Sequence, residues 1–333
     1  MKNRIPILAL SIALATSLLI PLHSLAGSFS DVPADYPYYK QIEFLKTEGI
    51  IGGYPDGTFK PGQVVNRAEA LKIILNAAKI QATDATKTSF SDVQLADWFA
   101  KFVETAKAKG IVNGNPDGTF APARNVNKVE YLKMLLLAFD VKFVNYKAPA
   151  DPLYPDTTDS SQWFIPYLDF AKNVNMISPD SAGNIEPTRN LTRGEVADIA
   201  YKLIIIIKGG PVQLDLSRAE AQLIQSIYDL QNNKLESAHT HVASAKTLAQ
   251  DALSKAPNES IVKAAVKVIE AFEALITAFQ QSAANKNEDA LKSAGSAYNL
   301  AEDAKNINSG ISNLSDQVKA ASKSLADSIR ARQ

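Results

Sequence analysis

Gly49-Ile50-Ile51-Gly52-Gly53-Tyr54-Pro55-Asp56-Gly57-Thr58-Phe59-Lys60-Pro61 decides the fold, because its skeleton returns 61 residues later as Gly110-Ile111-Val112-Asn113-Gly114-Asn115-Pro116-Asp117-Gly118-Thr119-Phe120-Ala121-Pro122. The shared Pro-Asp-Gly-Thr is a turn: proline presets φ and glycine accepts a positive one. Working outward, Phe29-Ser30-Asp31-Val32 recurs as Phe90-Ser91-Asp92-Val93, and Asn66-Arg67-Ala68-Glu69 matches Asn127-Lys128-Val129-Glu130, at the same shift. Separate blocks holding one register mark an internal repeat. A third, more worn copy follows. Tyr154-Pro155-Asp156-Thr157 aligns with the opening block, Trp163-Phe164 with Trp98-Phe99, and Thr192-Arg193-Gly194-Glu195 with the closing one. Its shift is 64 to 65 residues, so it carries a short insertion, and Ser178-Pro179-Asp180 replaces the usual turn.

Each copy reads as helix, loop, helix. In the first, Tyr39, Ile42, Phe44, Leu45 and Ile50 form a helical apolar stripe closed by Gly49. The second helix starts at Asn66, where the Asn side chain caps and Glu69, three residues on, reaches back. Ala70, Leu71, Ile74 and Leu75 are its buried stripe. A unit of this size buries little alone, so the three are expected to pack on one another through their second helices.

These blocks resemble the S-layer homology (SLH) family over about residues 27–209. The resemblance rests on the opening Phe-x-Asp-Val, the Gly49 to Pro61 block and the closing box. It implies a pseudo-threefold helical domain of three SLH repeats (27–88, 89–150 and 151–209) with binding grooves between neighbours. The implied ligand is a secondary cell-wall polysaccharide or peptidoglycan-linked glycan, often bearing a pyruvate ketal and held without covalent bonds.

The closing box carries its own reason to bind an anion. Arg67 and Arg193 occupy the first helical position after a cap, where unpaired backbone N–H groups and the positive helix end converge. A planar guanidinium fork matches a planar carboxylate, whereas Lys128 in the second box keeps charge but loses the fork. Asp31, Asp92 and Asp156 are candidates to accept sugar hydroxyls, or else they brace a turn. Trp98 and Trp163 are candidates to stack on a sugar ring, or else they are core. Gly52, Gly53 and Gly114 would let backbone approach the ligand. Unequal grooves are expected, with that of Arg67 the strongest. Asn113-x-Asn115-x-Asp117-Gly118 imitates the start of a calcium loop, but Arg124 stands at the twelfth position where a bidentate Glu is required. No metal and no cofactor is expected.

The ends and the composition set the context. Lys2 and Arg4, the apolar run Ile7 to Ile20, and Ser24-Leu25-Ala26 make residues 1–26 a secretory signal peptide, cleaved after Ala26. The chain has no cysteine, so disulfides, thiolate nucleophiles and Cys-based zinc sites are excluded. Its formal net charge is zero, which gives no general attraction to nucleic acid or anionic lipid. Recognition of an anion must then be local. The strongest later apolar run, Leu203 to Ile207, is too short for a membrane span.

Gly209-Gly210-Pro211 marks a boundary. Beyond it, 212–333 reads as an antiparallel helical bundle, making the chain all-α. Ile261, Ala265, Val268, Phe272, Leu275 and Phe279 form a near-heptad seam. Leu223, Ile227, Leu230, Ala238, Val242, Ala245 and Leu248 form a less regular stripe. Pro257 to Ser260, Asn285 to Asn287 and Asn308 to Gly310 separate the helices. A tetratricopeptide-like pair is an alternative, since Ala245, Ala249, Ala252 and Pro257 fit part of that pattern. His239 and His241 are two apart and cannot chelate together on a helix.

The expected function is noncatalytic, noncovalent anchoring of an exported surface protein to the bacterial wall. The C-terminal helices would serve as spacer, assembly surface or docking face for another surface protein. An alternative is a wall-anchored enzyme acting on glycan through its C-terminal domain. Against it stands the absence there of a carboxylate or Ser/His arrangement fit for catalysis. A tether to an outer membrane is a third reading and lacks a visible series of barrel strands.

Overall fold

A computed structural model describes residues 27–332. The expected signal peptide lies outside the described residues. Ten α-helices and one short 3-10 turn account for the regular structure, and among the described residues there is no sheet, only isolated bridges. Among the described residues no helix is long and apolar enough to cross a membrane. The chain divides into two compact units, one of residues 27–172 with 176–205, the other of 206–332 with 173–175.

The first unit holds α1 (Tyr39–Thr47), α2 (Arg67–Ala77), α3 (Ala100–Ala108), α4 (Lys128–Ala138), α5 (Ile165–Asn173) and the start of α6 (Arg193–Gln231). The second helices begin where the sequence places them. Asn66 Oδ1 accepts from Glu69 N while the Glu69 carboxylate accepts from Asn66 N, and Asn127 and Glu130 repeat the same exchange. Thr192 and Glu195 do so at α6.

What closes the three copies into one body is a ring of backbone hydrogen bonds. Val65 N donates to the Leu191 carbonyl (3.0 Å), Leu191 N to Val126 (3.1 Å), and Val126 N to Val65 (2.9 Å). Each copy gives and receives once, as a pseudo-threefold arrangement requires. The three side chains are buried at this junction. Leu71, Ile74 and Leu75 of α2 and Leu132, Leu135 and Leu136 of α4 are fully buried as well, as is Tyr131, whose hydroxyl donates to the Val196 carbonyl at 3.2 Å.

The opening aspartates hold the loops. Both Asp31 carboxylate oxygens accept from backbone, at Phe59 N and Lys60 N (2.7 Å each). Asp92 does the same for Phe120 and Ala121, and Asp156 for Ile185 and Glu186. The second residue of each pair, Lys60, Ala121 or Glu186, has a left-handed φ of 57°, 57° and 50°. That conformation costs an L-residue about 1–2 kcal/mol, and two charge-assisted hydrogen bonds offset it. A further device anchors each opening segment. Ser28 and Ser89 donate through N and Oγ to Glu43 and Glu104. In the third copy the shorter Asp169 instead receives the Tyr146 hydroxyl, from the inserted linker, at 2.9 Å.

In the second unit, α6 is interrupted at Gly210, whose φ of 59° and ψ of −148° are not helical, before Pro211 restarts it. Then come α7 (Leu235–Lys255), α8 (Ser260–Ala283), α9 (Asn287–Ile307) and α10 (Ser312–Arg330). The seam residues Ala265, Val268, Phe272, Leu275 and Phe279 are buried on α8, which packs against α7, α9 and α10. The stripe from Leu223 to Leu248, expected as one element, is two. Asn233, with φ 58°, turns the chain between α6 and α7. Its amide donates to the Leu230 carbonyl and that of Lys234 to Asp229. Asn285, also at φ 58°, makes the same turn between α8 and α9, with Asn285 N on Ser282 and Lys286 N on Gln281. Ala238, Ala245, Ala249 and Ala252 are matched 52 residues on by Ala290, Ala297, Ala301 and Ala304, all buried. The second unit is thus built from a hairpin used twice, followed by α10.

Candidate functional site

Each second helix begins against the loop of the next copy, giving three seams in a closed cycle. In the first, Arg67 N and Ala68 N donate to the Arg124 and Pro122 carbonyls. In the second, Lys128 N and Val129 N donate to Arg189 and Pro187; in the third, Arg193 N and Gly194 N donate to Gln63 and Pro61. With the third amide taken by the cap, the helix-mouth N–H groups expected to face a ligand are engaged by the neighbouring copy. Anion capture at these seams must come from side chains.

The three box cations are buried, with exposures of 7% for Arg67, 6% for Lys128 and 8% for Arg193. Arg67 Nε donates to the Phe120 carbonyl at 3.0 Å, and its guanidinium lies 4.8 Å from that ring's centre. Its Nη1 is 4.0 Å from Glu130, a carboxylate already held by both terminal nitrogens of Arg124. The Nη edge of Arg67 therefore keeps donors that no backbone oxygen takes. Arg193 is held more fully: Nε donates to Phe59 O (2.8 Å), Nη2 to Gly52 O (3.1 Å), and the group sits between the Phe59 and Tyr54 rings. Lys128 points its Nζ at the Ile185 carbonyl. Burial depresses the pKa of Arg67 and of Lys128, and for Lys128 the Arg189 charge adds to the effect.

Trp98 and Trp163 are 53% and 49% exposed, so they are surface rings and not core. Each meets a lysine from the preceding copy. Lys72 Nζ is 5.6 Å from the Trp98 ring centre and Lys133 Nζ 4.9 Å from that of Trp163, and among the described residues neither lysine has a carboxylate partner. Such cation–π contacts are worth about 0.5–1 kcal/mol when exposed. The third seam differs. Pro37 stands in the tryptophan position and Asp198 in the lysine position, where Asp198 accepts from Gln41 (3.1 Å) and pairs with Lys202 (2.9 Å). Tyr38, burial first and Asp198 second, has its pKa pushed up to about 12.

The structure thus joins Lys72 to Trp98, Lys133 to Trp163 and Arg193 to Gly52, while Arg67 and Lys128 meet the loops at Phe120 and Ile185. The carboxylates of Asp31, Asp92 and Asp156 lie behind them, engaged with loop amides. Gly53 answers a packing need: a Cβ there would come within 2.5 Å of the Phe29 ring and 2.7 Å of Thr58 O. Gly114 stands in the same relation to Phe90. Gly52 has open space beside it and supplies its carbonyl to Arg193. Sequence reading missed Lys72 and Lys133, although each stands five residues past a box cation in the repeat register. It also missed Arg124 and Arg189, which clamp the box glutamates Glu130 and Glu195.

Comparison with known proteins agrees with this geometry. The pattern of the S-layer homology domain matches residues 28–71, 89–132 and 153–197. Cell surface glycoprotein 1 of Acetivibrio thermocellus is 29% identical over 165 residues, covering 46% of this chain and 7% of that protein. S-layer protein EA1 of Bacillus anthracis is 26% identical over 185 residues, 56% of this chain and 21% of the other. The cellulosome-anchoring protein of A. thermocellus is 28% identical over 151 residues, 44% and 32% of the two. The chain therefore spans less than a third of the length of each of these relatives. Three closed-ring copies, each with its capped box set against the next copy's loop, and a pattern that matches all three: this chain carries three tandem S-layer homology domains within residues 28–197.

Proposed function

We propose that the three-repeat unit fastens an exported protein noncovalently to the bacterial cell wall by holding an anionic, pyruvate-ketal-bearing secondary cell-wall polysaccharide in its seams. Residues 206–332 act as spacer or as a surface for another copy or another surface protein. The protein is noncatalytic and works at the cell surface. Support for anchoring comes from relatives whose names describe S-layer proteins and a cellulosome-anchoring protein. One observation carries the choice of ligand. In the first seam, a guanidinium whose Nη edge meets no backbone oxygen among the described residues and only the Glu130 carboxylate at 4.0 Å, a lysine without a carboxylate partner among the described residues and a half-exposed indole belong to one pair of elements, α2 and the segment entering α3. A planar acid on a sugar ring asks for that combination: a fork for the carboxylate and a π-face for the ring.

The first seam is the strongest. Arg193 is more fully engaged by backbone, and Lys128 lacks the fork. The test is a substitution that keeps charge and bulk. Arg67→Lys should cut retention of the chain from residue 27 on purified sacculi about tenfold, a loss of about 1.4 kcal/mol. Arg193→Lys should cost less. Full retention by the double variant, with an unchanged melting temperature, would reject the assignment.

A further inference from the structure

Besides the box cation and the Asp198 position, the three copies differ at their seams at one further pair of positions. The second residue of the second helix is Ala68, Val129 and Gly194 in turn. The segment entering the first helix reads Asp97-Trp98-Phe99 and Gln162-Trp163-Phe164 in two copies, but Tyr36-Pro37-Tyr38 in the first. The third seam, which joins α6 to the first copy, therefore has no indole and has two phenols, of Tyr36 and Tyr38. These two departures meet in space. A Cβ on residue 194 would stand 2.8 Å from the Tyr36 hydroxyl oxygen, 3.0 Å from the Tyr38 ring and 3.2 Å from Pro61 O. Either of the side chains found at this position in the other copies would push the phenol off the start of α6.

Tyr36 is half-buried, its ring edge-on to Tyr38 with centres 5.8 Å apart. Among the described residues its hydroxyl makes no hydrogen bond, whereas those of Tyr131 and Tyr146 do. Its oxygen is not fully buried, so the hydroxyl is open to a partner from solution. It faces Gly194, the residue after Arg193 at the mouth of α6, and among the described residues the Nη1 of Arg193 has no backbone acceptor. Burial, then the charges of Glu195 and Asp31, raise its pKa above the ordinary 10.0, so it remains an O–H donor through the neutral range.

We propose that Tyr36, admitted by Gly194, is the ligand-reading residue of the third seam, its phenol donating to an oxygen of the bound acidic saccharide where the other seams offer an indole. This rests on the reading of the seams as polysaccharide sites. The third seam would then recognise the sugar by a directed hydrogen bond, the first two by a ring face.

The residues supply their own reporters. The only tryptophans, Trp98 and Trp163, report the first two seams through their indole N–H signals, and a ring-carbon label on tyrosine reports the third. Tyr36 is assigned by its loss in Tyr36→Phe. The chain from residue 27 is titrated with a methyl glucopyranoside bearing a 4,6-pyruvate ketal, and separately with the same glycoside lacking the ketal. The expected result is a saturable Tyr36 shift with the ketal sugar alone. Gly194→Ala should abolish it, or weaken it at least tenfold, while the indole responses persist. If the indoles respond and Tyr36 does not, or if Gly194→Ala leaves the Tyr36 titration unchanged, the proposal is overturned and the seam reading stands. If no seam resonance responds to the ketal sugar, the seam reading fails and this proposal falls with it.

Discussion

Residue by residue, the seams show how one position serves two needs. Glu195 caps α6 through Thr192 and is gripped by Arg189 through both terminal nitrogens. Burial would raise its pKa, but the Arg189 and Thr192 hydrogen bonds outweigh it and hold the carboxyl below its ordinary 4.5. A carboxylate with a depressed folded value contributes stability that is complete above the unfolded value and disappears as pH falls through the folded one. Thermal melts should therefore decline as pH falls through and below 4.5, and Glu195→Gln should be less stable at neutral pH but lose less across that acid limb. An identical acid limb in the variant would show that the clamp does not bear on stability. Such boxes were legible in advance because a cap and its glutamate are three residues apart and need no tertiary knowledge. The roles of Asp31, Asp92 and Asp156 were not, because their amide partners lie 28 to 30 residues away. The same holds for Arg67: its helical position could be read, but not the Phe120 carbonyl that takes its Nε.

At the scale of the element, repetition is read easily where residues are distinctive and missed where they are not. Pro-Asp-Gly-Thr-Phe announces itself at a shift of 61, but four buried alanines recurring at a shift of 52 do not stand out in an alanine-rich region. The turn at Asn233 was hidden for a related reason. The apolar spacing runs on across it, and only the left-handed φ shows where the helix ends. Within the second unit α8 is the common wall, since α7, α9 and α10 all pack on it, and Phe272 is fully buried there. Small alanine faces on α7 and α9 let these helices approach α8 closely, which leaves little slack to fill a hole. Phe272→Ala should accordingly destabilise this unit by about 3–5 kcal/mol in denaturant titration. A loss below about 1 kcal/mol would mean that α8 is not the centre of the packing.

At the scale of the whole molecule, a chain of zero net charge has no long-range pull on an anionic polymer, so its grip has to be made at a few points of contact. The seams offer such points: box cations, two lysines over two indoles, and the Tyr36 phenol, whose hydroxyl makes no hydrogen bond among the described residues. The most direct measurement is retention of the chain from residue 27 on purified wall polymer, before and after mild acid has removed its pyruvate. Strong retention on the intact polymer and background retention on the stripped polymer are the predicted outcome. Equal capture of the two would contradict the claim that these seams recognise an acidic sugar.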